Sequence, residues 1–448
     1  MPSPSIAPWA RTPRANGASA ANTNAAASNQ LLSEMSREVQ AGAPEELDVI
    51  VAGGGPAGLV AAQILAGAGR RVTVFEREPQ IGVPVHTSGA LAIEVMRRFE
   101  IPSTLYHPIS RLRFCSPNET ATFDFPEPVG CVIDVRGVYQ HLGGRAELAG
   151  ARIETGSSVS RPIVGAQGVA GCWIRSDGVE RAVAAKVVID ATGYRAELSR
   201  AAGLHRGFSR FGVGAEYELL APNCRQDEAV LLVGKRYAPA GYAWVFPWGG
   251  NRVRIGVGLL HSDTREDARK LISTFMADLH QFGVDVDGCE ITETHFGLIP
   301  AMGLAERLTA DGIMAVGDAA GVATLVVGEG IRLSMISGEM AGRAALAALA
   351  QGRSDSASLH PYERSFRAAF GRSLRIGDAI NRRMAAWDDP KWDEAVRFLR
   401  TVPTKTLVAF LQSDFSVKDV MSWLVLCPRN WPRLARWTMK AARDRARA

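Results

Sequence analysis

The sequence predicts an α/β fold in which a parallel, dinucleotide-binding sheet is interrupted by an inserted mixed β-sheet and followed by a helical C-terminal region. Three observations carry that prediction. A glycine-rich strand–turn–helix–strand unit runs from Asp48 to Glu76; a second strand ending in a small-residue turn, Gly312 to Gly321, returns late in the chain; and strand-like, aromatic residues from about Phe208 to His261 lie between them. The divisions that follow are a disordered tail over 1–46, a first part of the nucleotide domain over 47–206, an inserted substrate-binding sheet over 207–300, a closing strand and helix over 301–352, and a helical region over 353–448.

The tail is rich in Ala, Ser, Asn and Pro and poor in aromatics, a composition that cannot offset its own ordering entropy. It has Arg11 and Arg14 but no acid before Glu34, a faint likeness to an organellar targeting sequence, and it lacks the continuous apolar run of a secretory signal. Asp48 to Ala52 then reads as a buried strand, Gly53-Gly54-Gly55-Pro56-Ala57-Gly58 as a turn, Leu59 to Leu65 as an apolar helix and Arg71 to Phe75 as the next strand, ending on Glu76. Each glycine has its own task. Gly53 permits the tight turn, Gly55 lets a pyrophosphate approach the backbone, and Gly58 lets the helix pack closely on the strand. The helix N-terminus offers free N–H groups to phosphates. Glu76, about 20 residues past the first glycine and followed by Arg77, can accept hydrogen bonds from an adenosine ribose.

Ile81 to Ala90 is a loop of turn residues holding His86, and it leads into a short helix near Leu91 to Phe99. Leu112 to Cys115 and Thr120 to Phe125 read as a hairpin, and Cys131 to Arg136 as a strand entering a helix through Leu142 and Leu148. Ala151 to Val159 and Cys172 to Arg175 are further strands. Lys186 to Asp190 is a buried strand running into Ala191-Thr192-Gly193, which is either a ligand turn at the carboxyl edge of the sheet or a plain turn. Gly330 opens a long helix rich in small residues, among them Ser334, Ser337, Ala341, Ala344 and Ala347. Helical segments follow at about Asp355 to Met384, Lys391 to Leu399, Thr404 to Gln412, Val417 to Leu426 and Trp431 to Arg445.

A net charge of +5 over 448 residues makes no case for nucleic acid. The six cysteines show no metal-ligand spacing, so no metal site is expected, and they fit a reduced, cytoplasmic protein. No transmembrane helix is expected, because no run of about 18 apolar residues is free of charge. In Trp431 to Lys440, however, aromatics and bases interleave. That segment either rests peripherally on an anionic membrane or docks its tryptophans on its own protein.

Three separated segments point to FAD: the opening unit, Ala191-Thr192-Gly193, and the Gly317-Asp318 turn. An acid at Asp318 can bond the ribityl hydroxyls that a nicotinamide dinucleotide lacks. The helix opening at Gly330 and Ile331 directs its positive dipole end towards the flavin pyrimidine, favouring an anionic reduced ring. Strand alternation places Tyr242, Trp244 and Phe246 on one face, where they form either half of a sheet core or the roof of an apolar ligand.

These residues resemble the geranylgeranyl reductase family of flavoproteins, within the para-hydroxybenzoate hydroxylase-like fold group. The resemblance covers about Leu47 to Gly352, a Rossmann-like FAD-binding domain with its insertion. Its most diagnostic motif is Pro239-x-x-Tyr242-x-Trp244-x-Phe246-Pro247, supported by Gly53 to Gly58 with Glu76, by Arg136, by Gly317 to Gly321 and by Gly328 to Ile331. It implies FAD contacts at Ala57, Glu76, Arg136, Asp318, Gly330 and Ile331. The implied reaction is saturation of a prenyl C=C bond, with NADPH reducing FAD, hydride passing from the flavin to one alkene carbon and an acid protonating the other. Tyr242 and His86 are the candidate proton donors and Trp244 the candidate wall. Thr87 stands where many relatives have a cysteine, so any thiol role there is lost. The alternative is an FAD-dependent monooxygenase acting on an aromatic or polyketide-like substrate. A halogenase is disfavoured by the missing lysine after the first glycine motif, and an electron-transfer flavoprotein by the lack of a cysteine cluster.

Overall fold

A computed structural model describes residues 47–415. The tail over 1–46 and the helices expected at Val417 to Leu426 and Trp431 to Arg445, with the membrane contact assigned there, lie outside the described residues. The nucleotide sheet runs Thr309–Ala310, Ile313–Ala315, Val179–Asp190, Leu47–Ala52, Val72–Phe75, Arg152–Glu154. All of its pairings are parallel except the edge pair Thr309–Ala310 with Ile313–Ala315. Leu47–Ala52 lies at its centre and is buried at every residue, which is why, from Val49 on, it reads as a continuous apolar run rather than an alternating one. Two antiparallel strands, Ser157–Gly165 and Gly168–Ser176, extend from the front half of Val179–Asp190.

Helix Pro56–Gly67 covers the sheet, and the long helix Ile331–Ala350 covers that helix. The contact is backbone to backbone. A side chain at Gly338 would collide with the main chain of Ala57, and one at Gly342 would stand 3.2 Å from the Ala61 Cα.

The second sheet has seven strands in the order Glu290–Pro300, Phe211–Leu220, Arg252–His261, Ala238–Gly249, Glu228–Gly234, Arg111–Cys115, Thr120–Asp124. It is mixed, because Arg111–Cys115 joins Glu228–Gly234 in parallel. The hairpin at 111–124 therefore belongs to this sheet, whereas chain order alone groups it with 47–206. An alternating strand carries no mark of which sheet it completes. A small third sheet pairs Ala90–Ala92 and Tyr106–Ile109 with Gly130–Ile133, so the helix expected from Leu91 starts only at Ile93 and spans Ile93–Arg98.

One face of the large sheet packs Ala243, Val245, Ile255 and Val257 against Phe275 of helix Ala268–Asp278. The other presents Tyr242, Trp244, Phe246 and Trp248. Over that second face lie helices Arg372–Ala385, Asp389–Leu399 and Thr404–Leu411. No described helix is long and apolar enough to cross a membrane.

Candidate active site

The glycine turn is built as its spacing requires. Gly53 has φ +109°, a value that L side chains rarely adopt, and a side chain there would strike the Ala191 carbonyl. The Ala191-Thr192-Gly193 turn is thus clamped onto the opening unit. A side chain at Gly58 would run into the Gly53 carbonyl, while at Gly55 nothing lies within 4 Å. Gly55 faces open space, the one glycine of the three at which a ligand can reach the main chain. Glu76 closes this turn: its Oε2 accepts from Gly54 N at 2.6 Å and its Oε1 from Glu78 N at 2.9 Å. Arg77 points outward and pairs with Glu78 at 3.1 Å.

The late turn Gly317–Ala320 sits directly on the start of helix Pro56–Gly67, where a Gly317 side chain would stand 3.0 Å from the Ala57 Cβ. Asp318 Oδ1 faces Gly330, the residue that caps helix Ile331–Ala350, and its carboxyl takes no hydrogen bond from any described residue. Burial pushes its pKa up to about 7. Arg136 opens helix Val135–Leu148; one guanidinium nitrogen meets Glu293 at 3.1 Å, and its Nε is buried without a partner.

This cleft fits FAD. It has an open glycine cradle, an orphaned guanidinium N–H for a pyrophosphate, and carboxylates of Glu76 and Asp318 for ribose and ribityl hydroxyls.

Gly328, two residues before Gly330, lines a cavity of about 640 Å³. Its floor is the aromatic face of the large sheet, its roof Met384, Trp387, Phe398 and Leu407 of the C-terminal helices, and its near side His86, Thr87 and Ser88. A smaller cavity of about 150 Å³ adjoins it, with Tyr242 lining both.

The floor is organised in cross-strand rows. Tyr242, Gly258, Gly214 and Gly297 form one row, so three of its four positions carry no side chain. In the next row Trp244 lies over Gly256, whose missing side chain makes room for the indole, and its Nε1 donates to Glu216 Oε2 at 2.8 Å. Glu216 is paired in register with His295. The third row runs Phe246, Arg254, Glu218, Glu293. Arg254 is buried there, donating to Glu218 at 3.1 Å and to the carbonyls of Ser88 and Ile133 at 2.9 Å each.

Tyr242, Trp244, Phe246 and His86 are thus brought around these two cavities. The protons of both expected donors are engaged: the Tyr242 hydroxyl donates to the Val327 carbonyl, and burial raises its pKa well above the usual phenol range. His86 Nδ1 donates to the Phe296 carbonyl at 2.8 Å, with the residue exposed. Sequence reasoning missed Glu216, His295, Glu293 and Arg254, because their meeting is a matter of strand register, and it gave the roof helices no role in the site.

The FAD binding domain family matches residues 46–375. Digeranylgeranylglycerophospholipid reductase 2 of Methanopyrus kandleri is 30% identical over 74% of this chain and 84% of its own. The protein of the same name from Methanothermobacter thermautotrophicus is 30% identical over 79% and 91%. Among solved structures, a geranylgeranyl bacteriochlorophyll reductase-like protein of Thermoplasma acidophilum superposes with a TM-score of 0.74 at 24% identity, covering 85% of this chain and 98% of its own.

Proposed function

Because this chain belongs to the geranylgeranyl reductase family of FAD-dependent oxidoreductases, we propose that it saturates C=C bonds of a geranylgeranyl or other polyprenyl chain carried by a lipid. The observation that carries this reading is the 640 Å³, mostly apolar cavity with an aromatic floor and a helical roof, joined by the smaller cavity that Gly330 and Ile331 line. Its volume lies within the roughly 300–1,000 Å³ of small-molecule sites. A prenyl chain offers only apolar contact, and most of this lining is apolar, with Glu216 and His295 as buried polar exceptions on the floor.

Bound FAD, reduced by a donor that we take to be NADPH, would supply the hydride that alkene reduction requires. The chain's own residues do the rest. Gly53, Gly55, Ala57 and Gly58 would hold a pyrophosphate at the helix N-terminus, and Arg136 would neutralise its charge. Glu76, with Arg77 beside it, takes the adenosine ribose. Asp318 would accept hydrogen bonds from ribityl hydroxyls, and Gly330 and Ile331, at a helix N-terminus, would favour negative charge on a reduced flavin. Tyr242, Trp244 and Phe246 align the substrate, which matters because an isolated alkene accepts hydride poorly unless both transfers are lined up across it. Tyr242 and His86 are the candidate proton donors that the sequence suggests, but each already donates to a carbonyl in the resting protein, which leaves the source of the proton open to other groups on the cavity floor. Trp431 to Lys440, outside the described residues, is the segment we assign to peripheral membrane contact.

Anaerobic incubation of the purified protein with reduced flavin and a geranylgeranyl lipid tests this reading. The expected product has gained two hydrogens per bond. A product that forms only with oxygen and has gained one oxygen atom would instead establish a monooxygenase.

A further inference from the structure

The saturated bond needs a proton as well as a hydride, and the cavity floor holds a buried pair of titratable groups that sequence reasoning left unassigned. His295 sits between two carboxylates. Its Nδ1 meets Glu216 Oε1 at 3.0 Å and its Nε2 meets Glu293 Oε2 at 3.1 Å. The His295 and Glu216 side chains are each 5% exposed, whereas that of Glu293 is 40% exposed. Both His295 and Glu216 line the large cavity. A carboxylate only accepts, so an imidazole bonded to one at each nitrogen is best satisfied when both nitrogens carry protons.

We propose that His295 stores the proton for alkene reduction and delivers it to the substrate through Glu216, with Glu293 as a positioning residue that holds the ring from its solvent side. The proposal rests on the prenyl-reductase reading above. In the step, the Nδ1–H bond of His295 breaks and the proton passes to Glu216. The carboxyl of Glu216 then gives it to one alkene carbon. There the C=C π pair forms the new C–H bond, while hydride from the reduced cofactor bonds the other carbon. His295 becomes neutral and regains a proton from solvent once the product leaves.

The surroundings suit this task. Around the His295–Glu216 pair stand Glu293 from the histidine's own strand, Arg254 within 4.0 Å of Glu216, Arg136 on Glu293, and Tyr242, whose phenol feels the Glu216 charge. Burial on its own would lower the His295 pKa and Arg254 adds to that, but the hydrogen bonds and charge of the carboxylates outweigh both and hold it above the usual histidine value. Trp244 fixes the other oxygen of Glu216, so the carboxylate cannot swing away from the cavity floor.

Two measurements test the route. In ¹⁵N-imidazole NMR, His295 is expected to titrate above about 6.5, the ordinary value, and to move down in Glu293→Gln; a midpoint at or below the ordinary value overturns the proposal. In anaerobic single turnovers from pH 6 to 9, Glu216→Gln and His295→Gln are expected to slow prenyl reduction at least tenfold. FAD content and the rate of flavin reduction should be unchanged, and the wild-type rate should fall as pH rises through the His295 midpoint. Variants that match the wild-type rate and pH profile overturn the route alone. A wild type that reduces no prenyl lipid overturns the functional reading and the route with it.

Discussion

Asp318 is a carboxylate held in a cleft with no hydrogen-bond donor among the described residues, and burial pushes its pKa up to about 7 from 3.8. The folded protein therefore binds a proton that the unfolded chain has already released, so stability falls as pH rises from about 4 to about 7 and then levels. Replacing it with Asn removes that cost. We expect apo Asp318→Asn to be more stable than the wild type at pH 8 by on the order of 1–2 kcal/mol, discounted for the side chain's partial exposure, with a smaller gain at pH 5. FAD affinity should meanwhile fall about tenfold or more, as befits loss of a charge-assisted hydrogen bond. Urea unfolding at the two pH values and a flavin fluorescence titration measure both, and a variant no more stable than the wild type at pH 8 contradicts the argument. Asp318 was legible in the sequence because an acid in a small-residue turn after a buried strand is a local pattern. Glu216 and His295 were not. They lie 79 residues apart, and only register across neighbouring strands sets them side by side.

At the scale of elements, the nucleotide cleft depends on two helices that touch through their backbones. The small residues of Ile331–Ala350 announced a close contact, but Gly338 and Gly342, where it is made, were not among those singled out. Which face of a helix meets a neighbour is decided by the neighbour's position, which the helix's own composition does not state. A methyl group at Gly338 has to displace the Ala57 main chain, and Ala57 supports the Gly317–Asp318 turn from below. Gly338→Ala should thus cost about 1–3 kcal/mol as overpacking, although alanine is the better helix former. It should also lower the FAD retained on purification, since the glycine turn and the ribityl turn move apart together. Thermal unfolding and the flavin-to-protein absorbance ratio are the readouts. Unchanged values in both would mean that the helices adjust without disturbing the cleft.

The described residues form a nucleotide sheet, a floor sheet, a small third sheet and a helical roof. The first two were legible as strand runs, because glycine turns and period-two alternation are written locally. The roof was legible only as helices, and its closure over Tyr242 and Trp244 depends on contacts far apart in sequence. Asp393 makes the main one. Its buried carboxylate accepts from Ser116 Oγ at 2.6 Å, Asn118 N at 3.0 Å and Asn118 Nδ2 at 2.8 Å, tying helix Asp389–Leu399 to the turn of the 111–124 hairpin. Arg397 and Arg400 reach Glu119 of the same turn at 2.8 and 2.7 Å. That also gives a reason for the hairpin to sit in the floor sheet, since it is the anchor for the roof. Burial would raise the Asp393 pKa, but the hydrogen bonds from Asn118 and Ser116 outweigh it and hold the carboxyl below its usual range. Its contribution is therefore present above about pH 4 and lost as pH falls through the lowered value. Asp393→Ala strips three donors of their partner and should cost about 2–4 kcal/mol near neutral pH. The effect should be uneven across the molecule: hydrogen exchange should quicken across 386–411 and prenyl-lipid binding should weaken severalfold, while FAD content holds, because the anchor's hydrogen bonds and ion pairs among the described residues run to the 111–124 hairpin. If FAD is lost in step with the lipid, the roof and the nucleotide domain stand or fall as one unit, and the division of labour argued for them is wrong.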